Sequence, residues 1–282
     1  MPLSLSTPSP TTPPVVLRDL TLGYERHPAV HHLSLRIEPG SLLAVVGPNG
    51  AGKSTLIKAL AGRMPALSGT IEGLAPPQRV AWLPQHSELD TGFPIDVRGM
   101  VAMGLWHRTG ALGRFKAEHA EHAEQCDQAL GAVGLAGFER RGLDTLSGGQ
   151  LQRARFARMV LQDAPVVLLD EPFAAVDQRT TADLLALLHQ WHQAGKTVVV
   201  VSHDLAQVRA HFPQTLLLAR HPVAYGPTEQ VLSDANWARA SAMREPFNDS
   251  APECATGATH SPSHDHAGHP LQHNAALHPT TP

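Results

Sequence analysis

Hydrophobic and polar positions alternate with a period of two over residues 16–22 and again over 33–37, the pattern of half-buried strands. The unbroken apolar run Leu42–Val46 follows, short enough to be a strand covered on both faces. Next come a helical pattern over 53–61, which Gly62 ends, and a strand-like stretch at 79–83. Strand and helix patterns resume at Val166–Asp170, then a helix over 178–194 stopped by Gly195, then a strand at 197–202. Valine and leucine runs joined through helices predict an α/β fold with a buried, mainly parallel core sheet. Residues 87–161 break the rhythm. They offer helical patterns at 96–105, 116–133 and 148–161 with no comparable β-rich run, and so predict a helical subdomain inserted in the sheet. No segment of 20 to 50 residues recurs, which removes solenoids and propellers.

The two ends read differently from this middle. Residues 1–14 are mostly serine, threonine and proline, without the apolar stretch of a signal peptide, and are predicted to be a disordered leader. Residues 245–282 are rich in Pro, Ser, Thr, Ala and His and are predicted to be a disordered tail. Between them, 15–244 reads as one domain. With 42% hydrophobic residues the 282-residue chain has material for a sizeable core. Its formal charge of −3 argues against sequence-independent capture of nucleic acid or anionic lipid. Eighteen histidines mean that mild acidification reverses that charge. Cys126 and Cys254 match neither a disulfide framework nor a Cys-x-x-Cys site, which fits a reducing compartment. No apolar run approaches the length of a membrane-spanning helix.

The chemistry starts at Gly47, Pro48, Asn49, Gly50, Ala51, Gly52, Lys53, Ser54 and Thr55, which fit G-x-x-x-x-G-K-[ST] between a predicted strand and a predicted helix. Glycines let the backbone wrap phosphates, successive amides and the helix N-terminus supply positive potential, and Lys53 reaches the β- and γ-phosphates. The Ser54 hydroxyl can ligate Mg²⁺. Asp170 and Glu171 follow a buried strand, where α/β sheets gather their ligands. Asp170 is the candidate to hold Mg²⁺ and Glu171 to polarise an attacking water. An ordinary capped strand end would show the same two carboxylates; their order after the phosphate loop favours the site.

Leu146-Ser147-Gly148-Gly149-Gln150, ahead of Asp170, resembles the signature of ATP-binding cassette (ABC) ATPases, and further motifs of that family stand in family order over about 15–243. The resemblance implies a P-loop NTPase fold with an N-terminal antiparallel β subdomain and a helical signature subdomain. It implies ATP and Mg²⁺ as cofactors. It gives Tyr24 the role of stacking on adenine, where the residue alone reads equally as a strand-end core aromatic. It gives Gln85 a contact to Mg²⁺ and a relay to the helical subdomain, and His203 a contact to the γ-phosphate. Ser147, Gly148, Gly149 and Gln150 would bind the γ-phosphate held by a partner chain. Residues 174–177, ending in Asp177, match the loop that crosses the dimer interface, with Ala174 where a serine is common. One copy of each motif implies a head-to-tail homodimer closed by ATP.

The stretch 92–97 with Val101, Met103 and Gly104 looks like the permease-facing segment of zinc, manganese and iron importer ATPases. This likeness implies a cytoplasmic subunit on the inner face of the cell membrane, an integral membrane permease, and an outer metal-binding protein. Zinc stands first and manganese second. Cassette proteins of DNA repair or translation are the other class. Long helical arms or tandem cassettes would mark them, and the spacing from Lys53 to Leu146 is too short for such arms. A storage or sensor protein with a vestigial cassette is disfavoured because no ATP-handling residue is missing. In the tail, His260, His264, His266 and His269 are candidate Zn²⁺ ligands, a low-complexity solvated tail being the alternative. Glu118 with His122, His31 with His32, and His189 with His192 have metal-compatible spacing that a solvated polar face explains as well.

Overall fold

In the computed structural model the described residues are 12–24, 27–74, 80–85, 95–106, 120–174 and 176–243. Two sheets share them. Strands β1 (Val15–Tyr24), β2 (His27–Ile37) and β4 (Ser68–Glu72) form an antiparallel sheet in the order β2-β1-β4. The second sheet runs β5-β6-β7-β3-β8-β9, from β3 (Leu42–Val46), β5 (Val80–Leu83), β6 (Val166–Asp170), β7 (Thr197–Val201), β8 (Gln214–Ala219) and β9 (His221–Pro227). All its pairings are parallel except β8 with β9.

Alternation along the central strands divides the core in two. Leu42, Ala44, Val46, Val167, Leu169, Val198 and Val200 face one layer, in which Phe156 and Trp191 stack with ring centroids 5.9 Å apart. Leu43, Val45, Val166, Leu168, Val199 and Val201 face the other, against helix α1 (Lys53–Leu60) and the antiparallel sheet. Every residue of β3, β6 and β7 is buried, which is why these strands read as continuous apolar runs. Burying each such side chain contributes about 1.5–3 kcal/mol relative to exposure.

The first layer carries helices α2 (Val97–Ala102), α3 (Ala120–Ala132), α4 (Gly148–Gln162) and α5 (Gln178–Gln193). Asp96 caps α2 by accepting from the Gly99 N–H at 2.8 Å, and the predicted helix over 96–105 gives way to a 3₁₀ turn at Met103–Leu105. Of the helix expected over 116–133, residues 116–119 lie outside the described residues. Asp163, in a left-handed conformation, ends α4. The chain continues through α6 (Leu205–His211), α7 (Thr228–Val231) and α8 (Asp234–Ala242).

Three strands exceed what the pattern predicts. β2 begins at His27 rather than Leu33 because a bulge at His32, at φ 48°, interrupts the alternation. β4 is mostly exposed, and β9 contains two prolines on a sheet edge, so neither carries an apolar signature. Among the described residues no helix is long and apolar enough to cross a membrane.

Candidate functional site

Residues 47–52 link the end of β3 to the start of α1, so the Lys53 and Ser54 side chains are placed by the first turn of that helix. Gly52 is the N-cap at φ 89°, and a Cβ there would lie 2.5 Å from both the Ala29 carbonyl oxygen and Val30 Cγ2. A Cβ at Gly47, at φ 150°, would run still more closely into the Leu218 carbonyl oxygen. The loop is thus wedged between β2 and β8, and only glycine fits those contacts. Arg220, at φ 61°, donates its backbone N–H to the Ala51 carbonyl at 3.1 Å and adds a third brace, which no sequence pattern announces.

Lys53 is buried and its Nζ donates to the Gly47 and Pro48 carbonyls at 3.0 Å each. Burial lowers its pKa, while Glu171 and Asp170 oppose the shift. An ammonium has three donors, so one remains for a phosphate oxygen. Asn49 and Gly50 form the exposed tip of the loop, and Thr55 is buried behind it.

Strand register assembles the other half. Leu83 pairs with Leu169 and Asp170 with Val201, so Gln85, Glu171 and His203, each one or two residues past a strand end, meet on one sheet edge. Asp170 is 2% exposed and accepts from the Ser54 Oγ at 3.1 Å. Desolvation raises its pKa, partly countered by that hydrogen bond. Gln85 Nε2 donates to Glu171 Oε2 at 2.8 Å, and His203 Nδ1 lies 3.7 Å from the same oxygen. Glu171 holds a left-handed φ of 49° with its N–H on the Val201 carbonyl, a strained conformation for a non-glycine residue. Its side chain is about one-fifth exposed and lines a cavity shared with His203.

This donor set fits a magnesium nucleotide. The Ser54 hydroxyl, the Asp170 carboxylate and the Gln85 amide oxygen are hard oxygen ligands, and the glycine loop leads into the N-terminus of α1, where backbone amides suit a phosphate.

Tyr24 ends β1 with 54% of its surface exposed, so it is not a core aromatic; the Lys58 Nζ donates to its Oη at 3.3 Å. Ser147 caps α4 in a reciprocal capping box. Its Oγ accepts from the Gln150 N–H at 3.3 Å, and the Gln150 Oε1 accepts from the Ser147 N–H at 3.0 Å. Gly148 and Gly149 form the first turn, and a Cβ at Gly149 would meet Asp177 Oδ2 at 3.2 Å. Asp177 in turn caps α5, accepting from the Thr180 N–H at 2.9 Å and its hydroxyl at 2.7 Å, which hold the carboxyl below its ordinary range. The signature and Asp177 are therefore neighbours within one chain, away from the Lys53 loop in sequence but joined through helix caps. Ala175 lies outside the described residues, as do 86–94 and the tail histidines His260, His264, His266 and His269. Glu118 does too, although His122 is within α3.

The profile of the ABC transporter family matches residues 30–174. A manganese transport system ATP-binding protein of Listeria monocytogenes is 40% identical over 77% of this chain and 92% of its own. A zinc transport system ATP-binding protein of Treponema pallidum is 38% identical over 82% of this chain and 88% of its own. Among solved structures, a metal-chelate type ABC transporter in an inward-facing conformation superposes with a TM-score of 0.72, at 29% identity, over 81% of this chain and 89% of that one.

Proposed function

From the premise that the chain belongs to the ABC transporter family as an ATP-hydrolysing subunit, we propose that it powers uptake of a divalent metal ion, zinc before manganese, through a separate membrane permease. The observation that supports its ATP-driven half most is the meeting of Gln85, Glu171 and His203 on the sheet edge that carries Asp170, which Ser54 of α1 contacts.

In this reading Tyr24 stacks on the adenine. The amides of residues 47–55 and the Lys53 ammonium hold the phosphates, each a charge-assisted contact. Mg²⁺, held by Ser54, Asp170 and Gln85, supplies charge neutralisation at the β- and γ-phosphates. Glu171 accepts a proton from the attacking water, Gln85 fixes the carboxylate's orientation, and His203 contacts the γ-phosphate. Ser147, Gly148, Gly149 and Gln150 of one chain complete the site of a second copy, with Asp177 beside them at the interface, so two chains close head to tail on ATP. Closure drives the permease, which receives metal from an outer binding protein, and the subunit works on the cytoplasmic face of the membrane. Residues 15–244 form the ATPase domain, and the tail beyond it binds Zn²⁺ through His260, His264, His266 and His269.

Zinc is placed first for the histidine-rich tail and the relative from Treponema pallidum. Manganese is the second reading because the relative from Listeria monocytogenes is at least as similar. Uptake of labelled zinc and manganese by cells with and without this chain decides between them. Greater loss of zinc than of manganese uptake supports the first reading, and loss of neither overturns both.

A further inference from the structure

Helix α5 carries His189 near its end, and α6 finishes on His211. His189 Nε2 and His211 Nδ1 lie 3.4 Å apart, with ring centroids 5.6 Å apart and planes inclined by 49°. That separation suits one shared hydrogen. It also suits something else. Two imidazoles bound to one tetrahedral ion at the usual zinc–nitrogen distance hold their nitrogens about 3.3 Å apart. Both rings are partly buried, so each is already oriented by its helix.

We propose that His189 and His211 form a two-histidine site for a zinc-class divalent ion, outside the nucleotide site, which staples α5 to α6. Water completes the coordination. Among the described residues no group of three or more His, Cys, Asp or Glu stands ready to hold a metal, so affinity is well below that of a structural zinc site. Imidazole nitrogens favour zinc over manganese by the Irving–Williams order. Burial, followed by the neighbouring rings of His211 and His192, lowers the pKa of His189 and favours the neutral form that ligates.

The staple has a route to the chemistry. A cavity of about 600 Å³ is lined by Glu171 and His203 ahead of α6 and by Gln207 and His211 within it, with Ala182 and Leu185 of α5 opposite. An ion joining the two helices restrains α6, whose N-cap Asp204 follows His203 directly. Bound zinc therefore slows ATP turnover. This consequence rests on the proposed roles of Glu171 and His203; the metal site itself does not.

Thermal unfolding of the full chain with zinc chloride tests the site, because the tail cannot mimic it. Ligands within one short segment bind metal whether or not the domain is folded and leave Tm unchanged, whereas a site that folding assembles raises it. Zinc at a hundred times its Kd should raise Tm by roughly 5–10 °C, and manganese chloride should leave it unmoved. His189→Gln and His211→Gln should lose the rise, while His189→Cys, which restores a zinc ligand, should regain it. An equal zinc-dependent rise in the glutamine variants overturns the site. Should either variant melt early without metal, the zinc-dependent rise over that variant's own metal-free Tm decides instead: absent in that variant and present in His189→Cys it supports the site, and equal to the parent's in both it overturns it. In ATPase assays, zinc should slow the unmodified chain several-fold and the glutamine variants far less. Equal slowing overturns the brake, and the site then stands or falls on the Tm result. A chain without any ATPase activity would count against the function, not the site.

Discussion

The Gln85 side-chain amide and the Glu171 carboxylate are joined by a 2.8 Å hydrogen bond, although 86 positions separate them in the chain. The bond fixes one carboxylate oxygen, and in the proposed function the carboxylate takes the proton of the attacking water. Glu171→Gln keeps the shape and removes the basicity. It should bind ATP with unchanged affinity and hydrolyse it about 10²–10⁴-fold more slowly, measured as phosphate release. The same variant should accumulate as an ATP-dependent dimer in light scattering. A monomer with unimpaired hydrolysis would contradict both the role and the pairing.

Tyr24 presents an exposed ring that Lys58 braces through its hydroxyl and over its face. Tyr24→Ala should weaken ATP binding by about 1–3 kcal/mol, the range for a base stacked on an aromatic ring. Tyr24→Phe, which keeps the ring, should stay close to the parent in a nucleotide titration.

Asp170 sits in a desolvated position, and burial, partly countered by the Ser54 hydrogen bond, raises its pKa, which sets the sign of a pH effect. A carboxyl with a folded pKa above its unfolded one contributes most to stability when protonated, below the unfolded pKa, and loses that contribution as pH rises through the folded value. Asp170→Asn should therefore melt at a higher temperature than the parent at neutral pH. The gap should narrow as pH falls into the carboxylate range, and ATPase activity should be lost. A gap that widens on acidification would show that Ser54 and the nearby lysines outweigh desolvation.

Gly52→Ala forces a left-handed φ on alanine and drives its Cβ into the Ala29 carbonyl, which is backbone and cannot swing away. The strain should cost about 1–3 kcal/mol or more, read as a lower Tm, together with weakened nucleotide binding.

Removal of residues 250–282 should leave ATPase activity intact and eliminate most zinc equivalents in calorimetry at pH 7.5. At pH 5.5 the full chain itself should bind less, because protonated imidazoles do not ligate. Equal zinc binding by both chains would clear the tail of that role.

The central sheet was legible because β3, β6 and β7 are buried on both faces and are written in valine and leucine. The phosphate loop was legible for a related reason: its contacts with β2 and β8 admit only glycine. Arg220 escaped because it braces the loop through its backbone N–H, which leaves no side-chain signature in the sequence. β9 escaped because an edge strand tolerates proline and exposed polar residues. The joint between Gly149 and Asp177 needed coordinates, since each motif alone reads as an ordinary helix start.

Arg153 reaches from α4 to the Thr180 hydroxyl and Asp183, at 3.1 and 2.7 Å, while Gln152 beside it donates to the Pro172 carbonyl at 2.6 Å. These two neighbouring side chains grip both ends of the segment from the Glu171 turn to α5. In the proposed function a tilt of α4 acts as a crank, so that displacement of the helical layer by a bound permease would be delivered to the turn that carries Glu171.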